Sequence, residues 1–353
     1  MSDILELARP EIRALEPYAH ATWDPRLVRL HANENPWRDP ADTTTAGLNR
    51  YPEPQPAALL ARLADLYGVA PAQLLVGRGS DEGIDLLLRA FCRAGLDSII
   101  TCPPTFGMYR VAAAIQGASV IEVPLDAAND FALDAAAVIG AWTPAVKLVF
   151  LCSPNNPTGN RLAPAAVEQL LEALTGRAVV VVDEAYAEFS RTPSHVSWLA
   201  RYPHLVILRT LSKAYGLAGA RLGAVLAAPG LIDLLRRMIP PYALTVHTIE
   251  AALAATEPAA LERARAQLST LVAERARMQA ALAALPLVTR VWPSDANFLL
   301  IESPAAGRLL EAGIRGGLLV RDVRRQPGLG RCLRITIGTP DENTRLLHSL
   351  ESA

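Results

Sequence analysis

The sequence predicts an α/β protein with a mostly parallel central sheet flanked by helices, joined to a smaller α+β domain. Runs that are apolar along their whole length recur between residues 74 and 227, and helical segments separate several of them. Such strands are typical of a sheet that helices bury on both faces. Beyond residue 248 the pattern changes to a long Ala-rich helical stretch and shorter strands. A chain of 353 residues is long enough for two such domains.

The first part of the chain supplies turns and helix starts. A short charged helix leads into an extended segment that ends at Asn35-Pro36, where proline disfavours helix. After a Pro-rich turn at 49–54, a helix is expected from about 56 to 67. The Gly-rich turn at 77–83 then opens a second helix. Free N–H groups at a helix start can bind phosphate, but Ser80 and Asp81 are also ordinary helix caps.

The apolar runs assign the remaining elements. Helices are expected at 108–116, 164–174 and 248 to about 285. Strands of the large sheet are expected at 74–76, 98–102, 119–123, 146–152, 178–182, 205–208 and 223–227. Strands of the small domain are expected at 287–291, 298–301, 318–321 and 332–337. We therefore predict a large domain over residues 35–247, and a small domain formed by residues 1–34 and 248–353.

Polar side chains follow the ends of the predicted strands. In parallel sheets the ligand lies beyond the carboxyl ends of the strands, so these side chains are expected at one edge. The residues concerned are Asn156, Asp183, Tyr186, Ser212 and Lys213. Their distance from one another in the sequence makes the group a stronger indication of a binding site than any single member.

Lys213 stands among small and apolar residues just after a strand. Partial desolvation there would lower its pKa and free its amine to attack an aldehyde. Ser212 and Arg221 could hold an anion nearby, and an amine beside a phosphate site is what pyridoxal phosphate requires. The alternative is an ordinary surface lysine in a Gly/Ala loop.

Other residues have both a chemical and a structural interpretation. Asp183 ends a buried strand and could pair with a protonated pyridine nitrogen, or cap a helix. Tyr186 and Asn156 could bind a phenolate oxygen, although Asn156 also suits a turn. Phe106 could stack on a planar ring or belong to the core. Arg334 and Arg321 lie in or at the end of apolar strands and need an anion, which a substrate or a structural salt bridge could supply. Each of these residues therefore has two possible roles on the sequence alone.

Composition excludes several classes. The net charge of −1 argues against nucleic-acid and membrane-surface partners, and no apolar run is long enough for a transmembrane helix. The charged N-terminus is unlike a secretory signal. Four scattered cysteines without a CxxC pair indicate reduced thiols in a cytoplasmic protein, and the six histidines lack metal-ligand spacing, so no metal is expected.

Taken together, the motifs resemble the fold-type I pyridoxal-phosphate aminotransferases of class II, and within them the histidinol-phosphate group. The resemblance spans about residues 18–339. Its most specific part is Thr-Leu-Ser-Lys-Ala-Tyr-Gly-Leu-Ala-Gly at 210–219. Further matching blocks lie in the same order at 35–36, 49–52, 79–82, 102–105, 152–159, 183–186 and 333–336. The blocks at 49–52 and 103–109 narrow the resemblance to the histidinol-phosphate group.

The resemblance implies a role for each matching residue. Lys213 would bind the cofactor as a Schiff base and then shuttle a proton, and Asp183 would pair with the pyridine nitrogen. Asn156 and Tyr186 would bind the phenolic oxygen, and Phe106 would stack on the ring where close relatives often have tyrosine. The cofactor phosphate would be held by Ser80, Asp81, Ser212, Arg221 and, from the partner subunit of a homodimer, Tyr51. The substrate would be bound by Tyr18, Asn33, Arg321 and Arg334.

The implied reaction converts L-histidinol phosphate and 2-oxoglutarate into imidazole acetol phosphate and L-glutamate, a step of histidine biosynthesis. The catalytic residues would be Lys213, Asp183 and Tyr186. Three alternatives remain open at this point: an aromatic or broad-specificity aminotransferase, a decarboxylase of the threonine-phosphate type, and a non-catalytic cofactor-binding module. The intact set of lysine, aspartate and arginines argues against the last.

Overall fold

The computed structural model describes residues 4–18, 24 and 26–353. Eleven strands are present in these residues, in two sheets. The large sheet contains β1 (Leu74–Gly77), β2 (Ser98–Thr101), β3 (Ser119–Glu122), β4 (Val146–Cys152), β5 (Val179–Asp183), β6 (Leu205–Thr210) and β7 (Gly223–Leu226). The small sheet contains β8 (Arg290–Val291), β9 (Phe298–Glu302), β10 (Arg321–Asp322) and β11 (Cys332–Thr336).

Helices cover both faces of the large sheet and one side of the small sheet. In chain order they are α1 (Pro10–Arg13), α2 (Ala57–Tyr67), α3 (Ser80–Phe91), α4 (Met108–Gln116), α5 (Ala135–Ala141), α6 (Pro164–Ala173), α7 (Pro229–Arg236), α8 (Val246–Ala255), α9 (Pro258–Ala283), α10 (Ala306–Arg315) and α11 (Pro340–Glu351). None of the described helices combines the length and apolar composition needed to cross a membrane.

The large sheet has the strand order β1-β7-β6-β5-β4-β2-β3. Strands β2 to β6 pair in parallel, while β7 is antiparallel to both of its neighbours, β6 and β1. The mostly parallel sheet is therefore confirmed, with β7 as the exception. The connection from β6 to β7, residues 211–222, contains only the single 3₁₀ turn Ala218–Ala220. Without a crossover helix the chain returns beside the strand it has just left, which requires antiparallel pairing.

The predicted helix from 248 to about 285 is wrong in one respect, because it consists of two helices. Helix α8 ends at Ala255, and α9 begins at Pro258. Proline lacks an N–H group and disfavours the helical conformation of the residue before it, so it suits the first position of a new helix. Strands β8 and β10 are also shorter than the apolar runs that predicted them.

The hydrophobic core is divided by the large sheet. Successive side chains of β4 point to opposite faces of the sheet, so Val149 belongs to the cluster on one face and Phe150 to the cluster on the other. A third cluster joins the small sheet to α9 through Met278 and Leu282. The edge at the carboxyl ends of β4, β5 and β6 is left for polar residues.

Two parts of the chain make contacts that bear on the predicted domain division. Ile4 and Ala8 are buried in the large-sheet core, and the Arg9 side chain donates to the carbonyl of Arg89 at 3.1 Å. Ile4 and Ala8 therefore pack against the helices that cover one face of the large sheet. Helix α8, which spans residue 248, also contributes Ala252 to the cluster on one face of the large sheet.

Candidate active site

A cavity of about 590 Å³ opens at the carboxyl edge of the large sheet and is bounded on one side by the small sheet. Eleven of the residues predicted for the site line it: Ser80, Asp81, Phe106, Asn156, Asp183, Tyr186, Ser212, Lys213, Arg221, Arg321 and Arg334. The described residues show no group of three or more acidic, histidine or cysteine side chains placed to bind a metal ion. The polar part of the cavity lining consists chiefly of arginine, lysine and hydroxyl side chains.

One end of the cavity is formed by the start of α3. The residue before this helix is Gly79, with φ of 84°, and glycine offers no side chain to cap the first N–H groups. A Cβ on Gly223 of β7 would lie 2.2 Å from the backbone nitrogen of Ser80, so only glycine allows this close approach. The Arg221 guanidinium lies beside the helix start and contacts Asp81 at 3.2 Å. Free N–H groups, the positive helix end and an arginine together suit a phosphate.

Asp183 lies at the floor of the cavity with 2% of its surface exposed. Its Oδ2 accepts a hydrogen bond from the Tyr109 hydroxyl at 2.8 Å, and its Oδ1 accepts from the Ala185 N–H at 3.1 Å. Burial raises the pKa of this carboxyl to about 6, although both hydrogen bonds lower it. Among the described residues Asp183 has no salt bridge, so a cationic ligand group would compensate its charge.

Asn156, Tyr186 and Arg334 form a hydrogen-bonded row along one wall. The Arg334 guanidinium donates to Asn156 Oδ1 at 2.5 Å, and Asn156 Nδ2 donates to the Tyr186 hydroxyl at 3.4 Å. Because Tyr186 accepts this bond, its own O–H can be donated into the cavity. Burial raises the pKa of Tyr186, which keeps the hydroxyl protonated.

Arg321 and Arg334 are directly opposite each other in the antiparallel pair of β10 and β11. Like charges at opposed positions repel unless an anion lies between them. The Nε of Arg334 is buried without a hydrogen-bond partner in the described structure. Burial, and the charge of Arg321, lower the pKa of Arg334. This pair therefore indicates a second anion site, at the end of the cavity formed by the small sheet.

Lys213 projects into the cavity between the two anion sites. Its Nζ lies 5.7 Å from the centroid of the Tyr186 ring. Desolvation lowers the pKa of the Lys213 ammonium, and the charges of Arg334 and Arg221 lower it further. The amine is therefore easier to deprotonate than an ordinary lysine, as a nucleophile or a proton acceptor requires.

A buried ionic network lies behind the site and holds the chain just after Asp183. Glu184 is 1% exposed, accepts from the His195 backbone and ring at 2.8 Å, and pairs with Arg209 at 2.9 Å. Arg209 also pairs with Glu188 at 2.7 Å. Hydrogen bonds and these charges lower the pKa of Glu184 to about 2 despite its burial. Removing one partner would leave an uncompensated charge, so the network fixes the segment that carries Asp183 and Tyr186.

Three predicted site residues lie elsewhere in the single chain. Tyr51 is 49% exposed and stacks on Tyr242, with ring centroids 4.4 Å apart. Tyr18 borders a different cavity, near Pro240 and Arg237. Asn33 is exposed and has a φ of 55°. The position of Tyr51 is compatible with its expected role in a partner's site, whereas the roles of Tyr18 and Asn33 stay predictions.

Sequence reasoning missed Tyr109 and Gln326. Tyr109 lies within the sequence block at 103–109, but its role depends on a contact with Asp183 that the sequence does not indicate. Gln326 lies between β10 and β11, borders the cavity and has a buried Oε1 without a partner in the described structure. A glutamine in a loop has no sequence signal that would indicate this position.

These residues fit pyridoxal phosphate. The uncapped start of α3 with Arg221 suits its phosphate, and Asp183 provides a buried acid without an ion pair for its ring nitrogen. Tyr186 offers a hydroxyl donor for the phenolic oxygen, and Lys213 an amine of lowered pKa for the aldehyde. Each functional group of the cofactor therefore has a chemically matched partner in one cavity.

Comparison with known proteins agrees with this chemistry. The family model described as aminotransferase class I and II matches residues 27–350. A histidinol-phosphate aminotransferase of Xylella fastidiosa is 50% identical over 98% of this chain and 95% of its own length. A histidinol-phosphate aminotransferase of Stenotrophomonas maltophilia is 47% identical over 100% of this chain and 98% of its own length. The histidinol-phosphate aminotransferase of Sinorhizobium meliloti, solved in complex with pyridoxal-5'-phosphate, superposes with a TM-score of 0.78 at 25% identity, covering 86% of this chain and 83% of that one. The chain therefore belongs to the class I and II aminotransferase family, in its histidinol-phosphate aminotransferase branch.

Proposed function

We propose that the protein transfers the amino group of L-histidinol phosphate to 2-oxoglutarate, forming imidazole acetol phosphate and L-glutamate. The observation that carries the proposal is the opposed pair of Arg321 and Arg334 beside Lys213. An amino donor that carries a phosphate and lacks an α-carboxylate needs such a second anion site. The relatives at 50% and 47% identity carry the name of this activity.

Pyridoxal phosphate is the cofactor of the family; it supplies an aldehyde that takes up the amino group and a ring that absorbs the electron pair released at Cα. The start of α3, Ser212 and Arg221 would hold its phosphate. Asp183 would hold its ring nitrogen protonated, and Asn156 with Tyr186 would hold its phenolic oxygen. Phe106 retains an aromatic face for stacking, but it cannot donate the hydrogen bond of the tyrosine often found in close relatives.

The side chains of this protein carry out the proton transfers. Lys213 Nζ, deprotonated readily because of its surroundings, would take the proton from the substrate Cα. The same amine would return a proton during formation of the ketone, since Lys213 provides the one amine among the described residues that line the cavity. Arg321 and Arg334 would bind the phosphate of histidinol phosphate in one half-reaction and a carboxylate of glutamate or 2-oxoglutarate in the other.

We also infer that the active protein is a homodimer. Tyr51 lies outside the cavity of its own chain, so its predicted phosphate contact would be made in the partner's cavity. The surrounding segment exposes large apolar side chains, among them Val28 at 83%, Leu30 at 90% and Trp37 at 80%. A surface of this kind is expected to be covered by another subunit. The four free, buried cysteines suit the reducing environment of the cytoplasm.

The proposal is tested by comparing kcat/KM for histidinol phosphate with that for histidinol, using 2-oxoglutarate as acceptor. Loss of the phosphate should lower kcat/KM roughly 10²-fold, because two charge-assisted interactions disappear. Aromatic amino acids should be poorer donors than histidinol phosphate. Equal kcat/KM for histidinol and its phosphate would contradict the proposal, as would preferred use of aromatic amino acids or release of carbon dioxide from threonine phosphate.

A further inference from the structure

Tyr109 connects two walls of the active site. It is fully buried on α4, and its ring stacks on Phe150 with centroids 4.8 Å apart and planes 14° from parallel. The same ring makes a T-shaped contact with Phe106, with centroids 5.6 Å apart and planes at 85°. Its hydroxyl donates to Asp183 Oδ2 at 2.8 Å. One side chain therefore contacts both the acid at the end of β5 and the aromatic wall of the cavity.

The hydroxyl of Tyr109 can act only as a donor toward Asp183 under ordinary conditions. Burial and the neighbouring negative charge raise the pKa of Tyr109 well above 10, so the phenol stays protonated. A protonated phenol stabilises the ionised carboxylate and opposes the effect of burial on Asp183. The titratable groups whose charge or hydrogen bonds act on Asp183 or Tyr109 are Asp81, Cys152, Glu184, Tyr186 and Lys213.

Most of these groups cannot replace Tyr109. Asp81 and Glu184 carry charges that favour protonation of Asp183, and Cys152 donates its thiol to the carbonyl of Pro154 at 3.4 Å. The Ala185 N–H holds the other carboxylate oxygen. The Tyr109 hydroxyl therefore orients the Oδ2 atom of Asp183 and favours the ionised form of the carboxylate.

We propose that Tyr109 is a positioning residue, which holds the Asp183 carboxylate ionised toward the cofactor's ring nitrogen and supports Phe106 behind the ring face. The inference rests on the cofactor assignment of the proposed function, but not on the identity of the substrate. It adds to the site a residue that needs no contact with either the cofactor or the substrate.

The variant Tyr109→Phe tests the proposal because it removes one oxygen atom and keeps the stacked rings. Without the donor, the dissociation constant of pyridoxal phosphate from the apoprotein should rise roughly tenfold at neutral pH. The pKa of Asp183 should also rise. As the pH is lowered, cofactor binding should therefore begin to weaken at a higher pH in the variant than in the wild type. The rate of the first half-reaction should decrease by the same factor for histidinol phosphate and for glutamate, with unchanged KM values.

Tyr202→Phe is the matched control. Tyr202 is also buried, and its hydroxyl donates to the Glu168 carboxylate at 3.2 Å, away from the cavity. It should leave cofactor binding and its pH profile unchanged. In an Asp183→Asn background, Tyr109→Phe should have no additional effect on cofactor binding, since Tyr109 acts through the carboxylate.

Wild-type cofactor affinity and pH profile in Tyr109→Phe would overturn the inference, and so would a full Tyr109→Phe effect in the Asp183→Asn background. Failure of the proposed function is recognised separately. If histidinol phosphate is not the donor, the cofactor measurements are unaffected. If Asp183→Asn alone leaves cofactor binding unchanged, the assignment of Asp183 itself is wrong, and the inference falls with it.

Discussion

Lys213 can be identified chemically with little ambiguity, because the sequence contains only one other lysine, Lys147. Lys147 pairs with Asp97 at 3.8 Å and does not border the cavity. Borohydride reduction of the holoprotein should attach the cofactor to the peptide that contains Lys213. Replacement of Lys213 by alanine should lower the rate of each half-reaction roughly 10²- to 10⁴-fold, the range typical of general acid–base groups. Lys147→Arg should retain activity, and cofactor attached to Lys147 would contradict the assignment.

Arg334 is predicted to serve both substrates. Arg334→Ala should raise the KM for histidinol phosphate and for 2-oxoglutarate roughly 10- to 100-fold, because each loses a charge-assisted hydrogen bond to its anion. Arg331→Ala is the control, since Arg331 precedes the same strand but is exposed and paired with Glu302. Steady-state kinetics with each substrate varied in turn provide the measurement. Unchanged KM values for both substrates in Arg334→Ala would exclude the dual role.

At the scale of residues, the sequence allowed prediction of those side chains that stand at strand ends or break an apolar run. Asp183 follows four valines and Arg334 interrupts a strand, so each had a local signal. Tyr109 had none, because its contact with Asp183 joins residues 74 positions apart and depends on how α4 packs. Tyr18 and Asn33 were assigned through resemblance alone, and the isolated chain does not bring them to the cavity.

At the scale of elements, the close approach of β7 to the start of α3 gives a sharp prediction. In Gly223→Ala the new methyl group would meet the backbone of Gly79 and Ser80 at 2.2 Å, which no side-chain movement can relieve. The variant should lose about 1–3 kcal/mol of unfolding free energy and bind the cofactor more weakly, since the phosphate site is displaced.

Gly140→Ala is the control for this substitution. Gly140 lies inside α5, and its Cβ would have no neighbouring atom within 4 Å. Alanine there should be neutral or stabilise by about 0.5–1 kcal/mol, because it removes conformational freedom from the unfolded chain. Denaturant unfolding of both variants provides the comparison. Equal stability of Gly223→Ala and the wild type would show that the turn tolerates displacement.

Most strands were predictable because their apolar runs are shorter than typical helices and are bounded by turn residues. The direction of β7 was not predictable in this way, since it depends on the connection and not on the strand itself. The break between α8 and α9 had a signal in Pro258, which the Ala-rich pattern on both sides obscured. Strands β8 and β10 were too short for period or composition to define their ends.

At the scale of the whole molecule, we propose that the small unit begins with α9, because α8 packs on the large-sheet core. The N-terminal residues 4–9 would then belong to the large unit. The composition of the chain does not indicate the boundary between the two units, since both are rich in alanine and leucine and no distinct linker separates them.

The proposed homodimer makes a prediction about shared active sites. Tyr51→Ala and Lys213→Ala should each be poorly active alone, because each damages both sites of a dimer. When the two are refolded together at equal concentrations, half of the dimers should be mixed, and each of these should contain one intact site. Activity should therefore return to about one quarter of the wild-type value. Absence of recovery, with mixed dimers demonstrated by differential tagging, would show that Tyr51 does not act across subunits.

Transamination of histidinol phosphate by Lys213 and the two anion sites can be followed in a single half-reaction. The holoprotein is mixed with histidinol phosphate in the absence of any 2-oxo acid, and the absorbance of the bound cofactor is followed. We expect conversion to the amine form of the cofactor, one ketone per active site, no carbon dioxide, and recovery of the original spectrum with 2-oxoglutarate. No spectral response to histidinol phosphate, with a response to aromatic amino acids or threonine phosphate, would contradict it.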